Sequence, residues 1–587
     1  MPLHPRLCDF LAVILNPSHD RPSLVTAGGN APADRFPVLW IVIAIFLVSL
    51  FGSLSLLSRY HFDEGWYTNA AIEMVRTGDY VTPRYPDGSV RFRKPIITYW
   101  ALVTSYAAFG IGLVSSRLPF LLAGAAVLYV TYRTARSATD DRSTAVLATA
   151  ILASNIQFME SSTKATPDIL QCLFMSLSLW GAVEILFRQR RDSRWYALLY
   201  VGAGLAMATK GMLAIVLMLF IWGFVRFGPL ADRSSIPLLH KQWLTAGLLI
   251  PLSWFVISTL LQGSVAISTL LEDQVGDRLE GAHTLVLSNV ALYLVTPLRF
   301  FAPWILLLVI ALSAQRRLLA GYMEKRKSLV WFVLGWLLVN VVIFSFGNLM
   351  RSRYLLPTYP LTAVLLADLL AYGFRAGMIA SLLERPIRWL LIGGAGAGLI
   401  VAAAGLRVDM SLFAGGLFFA AFMAGLYVLS CRRRVISPLV ALSLTIMTSF
   451  GVLEQAIKPV FITSPAGEIT GRLLQLDPLP ARIAAVDVRQ SMSNLIRLLS
   501  GGRLIVEEFR QGADPQTLQQ FPVILGSERI RDAMAGLNDY SIEECGAAYE
   551  PRKASAIWEW IMTGEKPPEA FADRTPYYLI RRKTVHD

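Results

Sequence analysis

Residues 61–100 read HFDEGWYTNAAIEMVRTGDYVTPRYPDGSVRFRKPIITYW, and they directly follow an apolar run long enough to span a bilayer. The stretch begins with an acidic pair, Asp63 and Glu64, and leads to a basic, aromatic segment that contains Arg93 and Lys94. Charges beside a membrane span are costly unless they work in a hydrated cavity, so they indicate a functional site. Carboxylates next to cations suit a site that handles a nucleophile and a phosphate leaving group together.

The composition around this stretch is that of a polytopic membrane protein. The chain of 587 residues is 55% hydrophobic, has a mean hydropathy of +0.51 and carries 16% charged residues, whereas soluble proteins carry about 25%. Its formal charge of +13 comes from short basic clusters between apolar runs. That is the pattern of cytoplasmic loops rather than of a nucleic-acid-binding surface. The scattered cysteines predict neither a disulfide framework nor a zinc motif.

Apolar runs of bilayer length predict about 13 transmembrane helices within residues 37–453. The basic loops between them fall on one side of the membrane only if the run at 95–113 does not cross it. We therefore predict one long extracytoplasmic loop at 58–113, which contains membrane-surface helices. The N-terminal tail, residues 1–36, is then cytoplasmic, and everything after about residue 454 is extracytoplasmic.

The last part of the chain, residues 454–587, has the composition of a soluble domain. Segments 482–486 and 521–525 predict buried strands, and helical stretches lie between them. The predicted fold class is an all-α polytopic membrane protein with a small C-terminal α/β domain on the extracytoplasmic side.

With this topology, unusual polar residues from several segments face one side of the membrane. Asp63 begins the first outer loop and Asp168 begins a later span. Two carboxylates on separate segments can divide the work of activating an acceptor and orienting a substrate or a metal. Lys210 lies in a tight outer turn, and Arg351 and Arg353 occupy an outer loop that has no acid. That charge pattern indicates an anion site.

These residues resemble those of the C-type (GT-C) membrane glycosyltransferases, which use polyprenyl-phosphate sugars. The nearest branch is that of the lipid A aminoarabinose transferases and their relatives that resemble protein O-mannosyltransferases. In the first loop the matching residues are Asp63-Glu64-x-x-Tyr67, Ala70-Ala71, Met74, Gly78-Asp79, Pro83, Lys94-Pro95 and Tyr99-Trp100. Further matches are Ala-Arg-x-x-x-Asp-Asp-Arg at 135–142, Asp168, Thr209-Lys210-Gly211, Pro303-Trp304 and Arg353-Tyr354-Leu355-Leu356-Pro357.

The resemblance implies a GT-C fold and an inverting sugar transfer at the outer face of the bacterial inner membrane. By position, Asp63 matches the catalytic aspartate of the family, and Asp168 matches the second acid of its cavity. We also count Glu64, from the same acidic pair, among the catalytic candidates. Lys94 matches the lysine that holds the lipid phosphate, and Tyr354 matches a tyrosine that contacts that phosphate.

Two departures from the family pattern concern phosphate and metal binding. The aminoarabinose branch usually has a glutamate, which helps to bind a metal, where this chain has Arg93. His283 is the candidate metal ligand here, and a divalent metal is the only cofactor that the resemblance suggests. The arginine expected three residues after Asp63 is Trp66. We expect Arg93 to replace that arginine in binding phosphate, and the donor or acceptor preference to differ from that of the aminoarabinose enzymes.

The predicted function is transfer of a sugar from a polyprenyl-phosphate donor to lipid A, another glycan or a protein. Lys94, Arg93, Lys210, Arg353 and Tyr354 form the predicted phosphate site. Two alternatives stay open. A flippase or transporter of lipid-linked saccharides would carry charges in mid-span and a symmetric repeat, and a glycan polymerase or ligase would have one very large outer loop midway along the chain.

Overall fold

The computed structural model is mostly helical, with a small sheet near the C-terminus. It describes residues 36–230, 236–263, 268, 287–314, 316–346, 351–375, 380–431, 437–509, 515–535, 539–551 and 572–582. The first helices are α1 Phe36–Phe51, α2 Phe62–Thr77, α3 Ile97–Phe109, α4 Leu113–Thr139, α5 Arg142–Ala153, α6 Ile156–Ser162, α7 Pro167–Phe187, α8 Ser193–Lys210 and α9 Leu213–Phe227. The helices that follow are α10 Lys241–Gln262, α11 Leu287–Phe300, α12 Ala302–Ala314, α13 Arg316–Ser345, α14 Tyr359–Arg375, α15 Ala380–Val408, α16 Met410–Cys431, α17 Pro438–Val452, α18 Lys458–Phe461 and α19 Ala466–Leu474.

Within the described segments, nine helical stretches are long and apolar enough to cross a membrane, and α11 with α12 makes a tenth if this pair, bent by 83°, is one span. The predicted number of about 13 is therefore not confirmed, because several apolar runs fold as shorter or broken helices. The run at 143–160, for example, breaks at Asn155, whose side chain accepts a hydrogen bond from the Phe158 amide at 3.0 Å and so starts α6. Helix α3 has 13 residues, fewer than the roughly 20 that a crossing needs.

The helices differ in how much of their surface is packed against protein. Helix α7 is almost wholly buried and packs against α4 and α8. Helix α8 also contacts α10 closely, because a Cβ on Gly204 would overlap the Gly247 carbonyl. Helices α10, α15 and α16 instead expose large apolar side chains such as Leu260 and Trp389. An apolar surface of this extent is typical of a face that meets lipid.

Capping interactions at the helix ends determine where the helices that carry the charged residues begin. The His61 side chain accepts from the Asp63 amide at 3.2 Å, and the Glu64 carboxylate accepts from the His61 amide at 3.0 Å, which forms a capping box at the start of α2. Helix α7 begins with Pro167, whose ring suits the first helical position. A 3₁₀ helix, Ser352–Thr358, precedes α14.

The C-terminal domain contains a five-stranded mixed sheet, in agreement with the predicted α/β domain. Its strands are β1 Arg482–Val486, β2 Ile505–Phe509, β3 Val523–Gly526, β4 Tyr540–Pro551 and β5 Ala572–Arg582, and its helices are α20 Gln490–Leu499, α21 Pro515–Leu518 and α22 Glu528–Met534. The strand order is β2-β1-β3-β5-β4, in which β2, β1 and β3 run parallel, whereas β5 pairs antiparallel with both β3 and β4. Helix α20 packs against α2.

Candidate active site

Three helix ends meet beside the first loop, and each carries a charged side chain. Asp63 lies in the first turn of α2, and Asp168 lies in the first turn of α7. The partial positive charge of a helix N-terminus stabilises a carboxylate at both places. Lys210 is the last residue of α8, where the negative end of the helix favours a cation. The fold therefore brings side chains of opposite charge from three separate segments into one site.

The segment before α14 adds two arginines that bind these carboxylates. Arg351 Nη1 lies 2.5 Å from Asp63 Oδ2, and Arg353 Nη2 donates to the same oxygen. Arg353 Nε also lies 3.6 Å from Asp168 Oδ2, so this guanidinium bridges the two acids. Lys210 Nζ donates to Asp168 Oδ1 at 2.5 Å. We call Asp63, Asp168, Lys210, Arg351 and Arg353 the carboxylate cluster.

The carboxylate cluster holds more basic than acidic groups. Its two carboxylates face three cations, which leaves a net charge of +1. Asp168 is almost fully buried, whereas 34% of the Arg351 side chain and 11% of the Asp63 side chain are exposed. A partly enclosed site with surplus positive charge attracts anions and can contact them directly.

The cations keep Asp63 ionised. Burial alone would raise the pKa of its carboxyl group, but the hydrogen bond and charge of Arg353, with the charge of Arg351, outweigh burial and hold the pKa below its ordinary value. His61 Nδ1 lies 3.7 Å from Asp63 Oδ2. Burial lowers the pKa of His61 despite the opposing charge of Asp63, which favours a neutral imidazole at pH 7.

Two tyrosines border the carboxylate cluster. Lys210 Nζ lies 4.7 Å from the centre of the Tyr354 ring, and that ring packs against Phe344 with 5.1 Å between the centroids. Tyr67, one turn after Asp63 on α2, is buried. Burial raises the pKa of its hydroxyl; the charge of Arg91 acts in the opposite direction, and Asp168 and Asp63 add to the increase. A neutral hydroxyl beside the cluster can donate a hydrogen bond to a bound anion.

Glu64 lies apart from the carboxylate cluster and has a closed environment. Arg117 donates to both of its carboxylate oxygens at 2.9 Å, and these two side chains are 0% and 1% exposed. The Ala165 amide donates to Glu64 at 3.1 Å. Burial would raise the pKa of Glu64, yet the Arg117 charge and hydrogen bonds, with the amides of His61 and Ala165, hold it below its ordinary value. Glu64 therefore has no open side for a substrate, and this geometry favours a positioning role over the predicted catalytic one.

The Glu64–Arg117 pair connects three segments of the chain. Arg117 Nη1 donates to the carbonyl oxygens of Leu54 and Leu56, at 3.2 and 3.0 Å, in the turn before α2. Ala165 lies three residues before Asp168. The pair thus ties the start of α2 to α4 and to the start of α7. Sequence reasoning missed Arg117, although an arginine inside an apolar run is itself a signal of a buried partner.

The predicted phosphate ligands Arg93 and Lys94 lie on the segment that leads into α3. The Lys94 ammonium donates to the Arg93 carbonyl at 3.1 Å, and Arg93 is exposed. Neighbouring Arg91 is buried, donates to the Tyr99 hydroxyl, and lies 5.2 Å from the centre of the Tyr67 ring. Arg91 thus connects this segment to the tyrosine that borders the carboxylate cluster. The phosphate roles of Arg93 and Lys94 stay predictions.

A metal site is not recognisable in the part of the chain that the structure describes. No group of three His, Cys, Asp or Glu side chains there could hold a metal ion. Asp63 and Asp168 are paired with cations, which compete with a metal for the carboxylate oxygens. His283, the candidate ligand, lies outside the described residues.

The architecture matches that of a solved membrane enzyme. ArnT from Cupriavidus metallidurans, bound to undecaprenyl phosphate, has a TM-score of 0.65 with this chain, over 93% of this chain and 98% of that chain, at 17% sequence identity. The chain has the GT-C fold. This result confirms the fold that the resemblance implies. Residues 93–258 also match the sequence model of the dolichyl-phosphate-mannose-protein mannosyltransferase family.

Two relatives found by sequence come from different bacteria. An uncharacterized protein of Aquifex aeolicus (strain VF5) is 28% identical over 333 residues, which are 56% of this chain and 63% of that protein. The undecaprenyl phosphate-alpha-4-amino-4-deoxy-L-arabinose arabinosyl transferase of Pseudomonas aeruginosa (strain LESB58) is 26% identical over 324 residues, which are 54% of this chain and 56% of that enzyme. The aligned part thus spans less than two thirds of the length of either relative.

Proposed function

We propose that this chain is a membrane glycosyltransferase that moves a sugar from a polyprenyl-phosphate donor to an extracytoplasmic acceptor, with inversion at the anomeric carbon. The observation that carries the proposal is the carboxylate cluster, which presents surplus positive charge beside an ionised aspartate within a GT-C fold. The donor class is supported by the ArnT structure, which contains undecaprenyl phosphate, and by the name of the Pseudomonas relative.

The basic residues of the cluster suit the leaving group of this reaction. As the bond between the anomeric carbon and the phosphate oxygen breaks, the sugar gains oxocarbenium character and the phosphate gains negative charge. Arg353, Arg351 and Lys210 are held in place by the carboxylates before any ligand arrives, so they need little reorganisation to stabilise that charge. Lys94, Arg93 and Tyr354 complete the proposed phosphate site. The polyprenyl chain would lie between helices in the membrane.

Phosphate binding and base strength are coupled in this arrangement. Arg351 and Arg353 pair with Asp63 in the structure, and a donor phosphate would compete for the same guanidinium groups. When they share their N–H donors with the phosphate, its negative charge offsets the positive charge that holds the pKa of Asp63 low, and the pKa rises. Asp63 therefore becomes a stronger base when the donor is bound. Because the pKa rises only after the donor binds, Asp63 abstracts a proton only in the complex that contains the donor.

The step at the sugar follows from these positions. With a hydroxyl acceptor, Asp63 takes the hydroxyl proton, the acceptor oxygen bonds to the anomeric carbon, and polyprenyl phosphate leaves with the electron pair of the broken bond. Attack opposite the leaving group inverts the configuration. With a phosphate acceptor such as that of lipid A, the nucleophile is already ionised. Asp63 would then orient the acceptor or the donor sugar, and Asp168 holds Lys210 and Arg353 in either case.

We place the reaction at the extracytoplasmic face of the bacterial inner membrane. The charge distribution of the loops supports this orientation, since the basic clusters then lie in the cytoplasm. In the proposed domain organisation, residues 1–36 are a cytoplasmic tail, 37–453 form the transmembrane domain with the catalytic loop 58–113, and 454–587 form the periplasmic domain. Donor, acceptor and membrane lipids are the expected partners.

A donor screen tests the proposal. Purified protein is incubated with a panel of radiolabelled polyprenyl-phosphate sugars, with either lipid A or an extracted envelope glycan as the acceptor. We expect the label to move from one donor to an acceptor, and Asp63→Asn to lower that transfer by about 10²- to 10⁴-fold when the acceptor is a hydroxyl. Failure of every donor with every acceptor would contradict the proposal.

The same assay separates the alternative functions. In sealed vesicles, movement of an intact lipid-linked sugar across the bilayer without transfer would identify a flippase. Products longer than one added sugar would identify a polymerase. A single added sugar on the acceptor is the result that the proposed function predicts.

A further inference from the structure

The helix that carries Asp63 also contacts the C-terminal domain. The Asn69 side chain on α2 donates to the Asn494 side chain on α20 at 2.6 Å, and both residues are buried. One turn further along, Glu73 forms an ion pair with Arg497, in which each side chain is 2% exposed. Residues more than 400 positions apart in the sequence are thus joined by two polar contacts from which water is excluded.

The approach of these helices is close enough to require a glycine. A Cβ on Gly65 would lie 2.8 Å from the Asn494 Cβ and would overlap its amide. On the same side of α2, Gly502 approaches Ile72 from the loop after α20. Because a helix turns 100° per residue, Gly65, Asn69, Ile72 and Glu73 share one face of α2. We call these four residues the docking face.

The docking face lies largely opposite the residues that face the carboxylate cluster. At 100° per residue, Asp63 and Tyr67 point about 130° and about 170° away from the middle of the docking face. Helix α2 is therefore held between the C-terminal domain on one side and the cations of the carboxylate cluster on the other. The Glu64–Arg117 pair fixes its first turn, α3 also packs against α2, and the C-terminal domain supplies buried polar contacts to its middle and last turns.

The ion pair at the docking face is fixed rather than adaptable. Burial lowers the pKa of Arg497 to about 10, so its guanidinium remains charged at neutral pH. Glu73 also accepts from the partly exposed Arg76 at 2.7 Å. A buried ion pair contributes little net stability, but loss of Glu73 would leave Arg497 as an uncompensated buried charge and would cost about 3–5 kcal/mol. Such a pair specifies one arrangement of α2 against the domain.

We propose that Asn494 and Arg497 are positioning residues for sugar transfer, and that the C-terminal domain sets the place of Asp63 by holding α2 from behind. This inference rests on the proposed function. A displacement of about 1 Å at the reacting groups can cost about 10²-fold in rate. The domain thus acts on the reaction without contacting the substrate at these two residues.

A reciprocal change of side-chain size across the docking face tests the inference. Gly65→Ala pushes the Asn494 side chain away, whereas Asn494→Gly in the same chain makes room for it. We expect Gly65→Ala to lower kcat by about 10- to 100-fold with little change in KM for the donor. The double variant should recover part of kcat, because it restores the space but not the hydrogen bond between Asn69 and Asn494. The matched control is Gly471→Ala in α19, where an added Cβ meets nothing within 4 Å.

Unchanged kcat in Gly65→Ala, or a loss that Asn494→Gly does not relieve, would overturn the inference. Thermal unfolding of each variant separates positioning from stability, since a purely structural role would lower Tm and leave the kcat of the folded protein unchanged.

Hydrogen exchange of residues 62–77 tests the contact without any assay of activity. Arg497→Gln should speed exchange in α2, whereas Arg472→Gln, at an exposed arginine of the same domain, should not. Equal protection in the two variants would show that the domain does not hold the helix. If the wild type transfers no sugar, the proposed function fails, and the exchange result alone decides whether the domain fixes α2.

Discussion

Asp63 and Glu64 are neighbours on α2, but their electrostatic surroundings differ. Asp63 contacts two arginines, one of which also contacts Asp168, in a cluster where bases outnumber acids and part of the carboxylate is exposed. Glu64 meets one arginine, Arg117, and neither side chain is more than 1% exposed. An open cluster with surplus charge can exchange a partner for a ligand, whereas a closed and neutral pair can only hold its neighbours in place. The balance and exposure of charge, rather than the acid itself, therefore indicate which residue reacts.

The largest expected effect distinguishes Asp63 from Glu64 when each is replaced by the neutral amide of the same shape. Asp63→Asn should lower turnover with a hydroxyl acceptor by about 10²- to 10⁴-fold, the range for loss of a general base. Glu64→Gln should instead destabilise the fold by about 3–5 kcal/mol, because Arg117 stays buried without its counter-charge, while molecules that remain folded keep their turnover. Initial rates and thermal unfolding of the purified variants measure both quantities.

Equal losses of turnover per folded molecule would remove the distinction between the two acids. Substantial transfer to a hydroxyl by Asp63→Asn would exclude the assignment of Asp63 as the base. With a phosphate acceptor the same variant should retain more activity, because that nucleophile needs no proton removed.

The next largest effect concerns the arginine that bridges both carboxylates of the cluster. Arg353→Gln removes charge-assisted contacts to the donor phosphate worth about 1.5–3 kcal/mol, so kcat/KM should fall by about 10- to 150-fold. Arg353→Lys keeps the charge but not the planar fork, and it should lie between the wild type and Arg353→Gln. Steady-state kinetics with the active donor give these ratios. Identical values for the two variants would mean that charge alone, and not bridging geometry, matters at this position.

A smaller effect tests whether Arg93 takes over phosphate binding from the arginine that the family pattern places at position 66. If Arg93 binds the donor phosphate in place of an arginine at position 66, Arg93→Gln should lower kcat/KM for the donor by about tenfold, as Lys94→Gln should. Arg482→Gln, on an exposed strand end of the C-terminal domain, is the matched control and should leave the rate unchanged. A normal rate in Arg93→Gln would contradict the proposed replacement.

The smallest effect is the dependence of stability on pH. The pKa of Glu64 is lower in the folded protein than in the unfolded chain, where it is about 4.3, so the unfolded chain binds more protons in the interval between the two values. The stability that this group contributes is therefore present above about pH 4.3 and is lost as pH falls through the folded pKa. Thermal unfolding between pH 7 and pH 3 should show Tm decrease in that acidic range, and the decrease should be less steep in Glu64→Gln. Parallel curves would contradict a charged Glu64–Arg117 pair.

The sequence predicted which charged residues lie together better than it predicted the number of helices. Asp63, Asp168, Lys210, Arg353 and Tyr354 come from four segments, and the structure brings all of them together. This was predictable because a charged side chain at the end of a membrane span is costly unless it lies in a hydrated cavity, where it can pair with other charges.

What the sequence could not supply were pairings that depend on the packing of distant segments. The contact of Glu64 with Arg117 and that of Glu73 with Arg497 leave no periodic signal in the sequence. The predicted number of spans is not confirmed for a related reason: hydropathy measures apolar length, whereas the helix in the run at 143–160 ends where Asn155 starts a new one. The sharp bend between α11 and α12 is equally invisible to hydropathy.

The affinity of the purified protein for undecaprenyl phosphate, compared between the wild type and Asp63→Asn, tests the central claim most directly. If the surplus charge of the carboxylate cluster binds the lipid phosphate and Asp63 competes for the same arginines, neutralising Asp63 should tighten binding by about tenfold, the effect of roughly 1.4 kcal/mol of removed competition. The same variant would then bind its donor more tightly while it loses transfer to hydroxyl acceptors. Unchanged or weaker binding in Asp63→Asn would contradict the account.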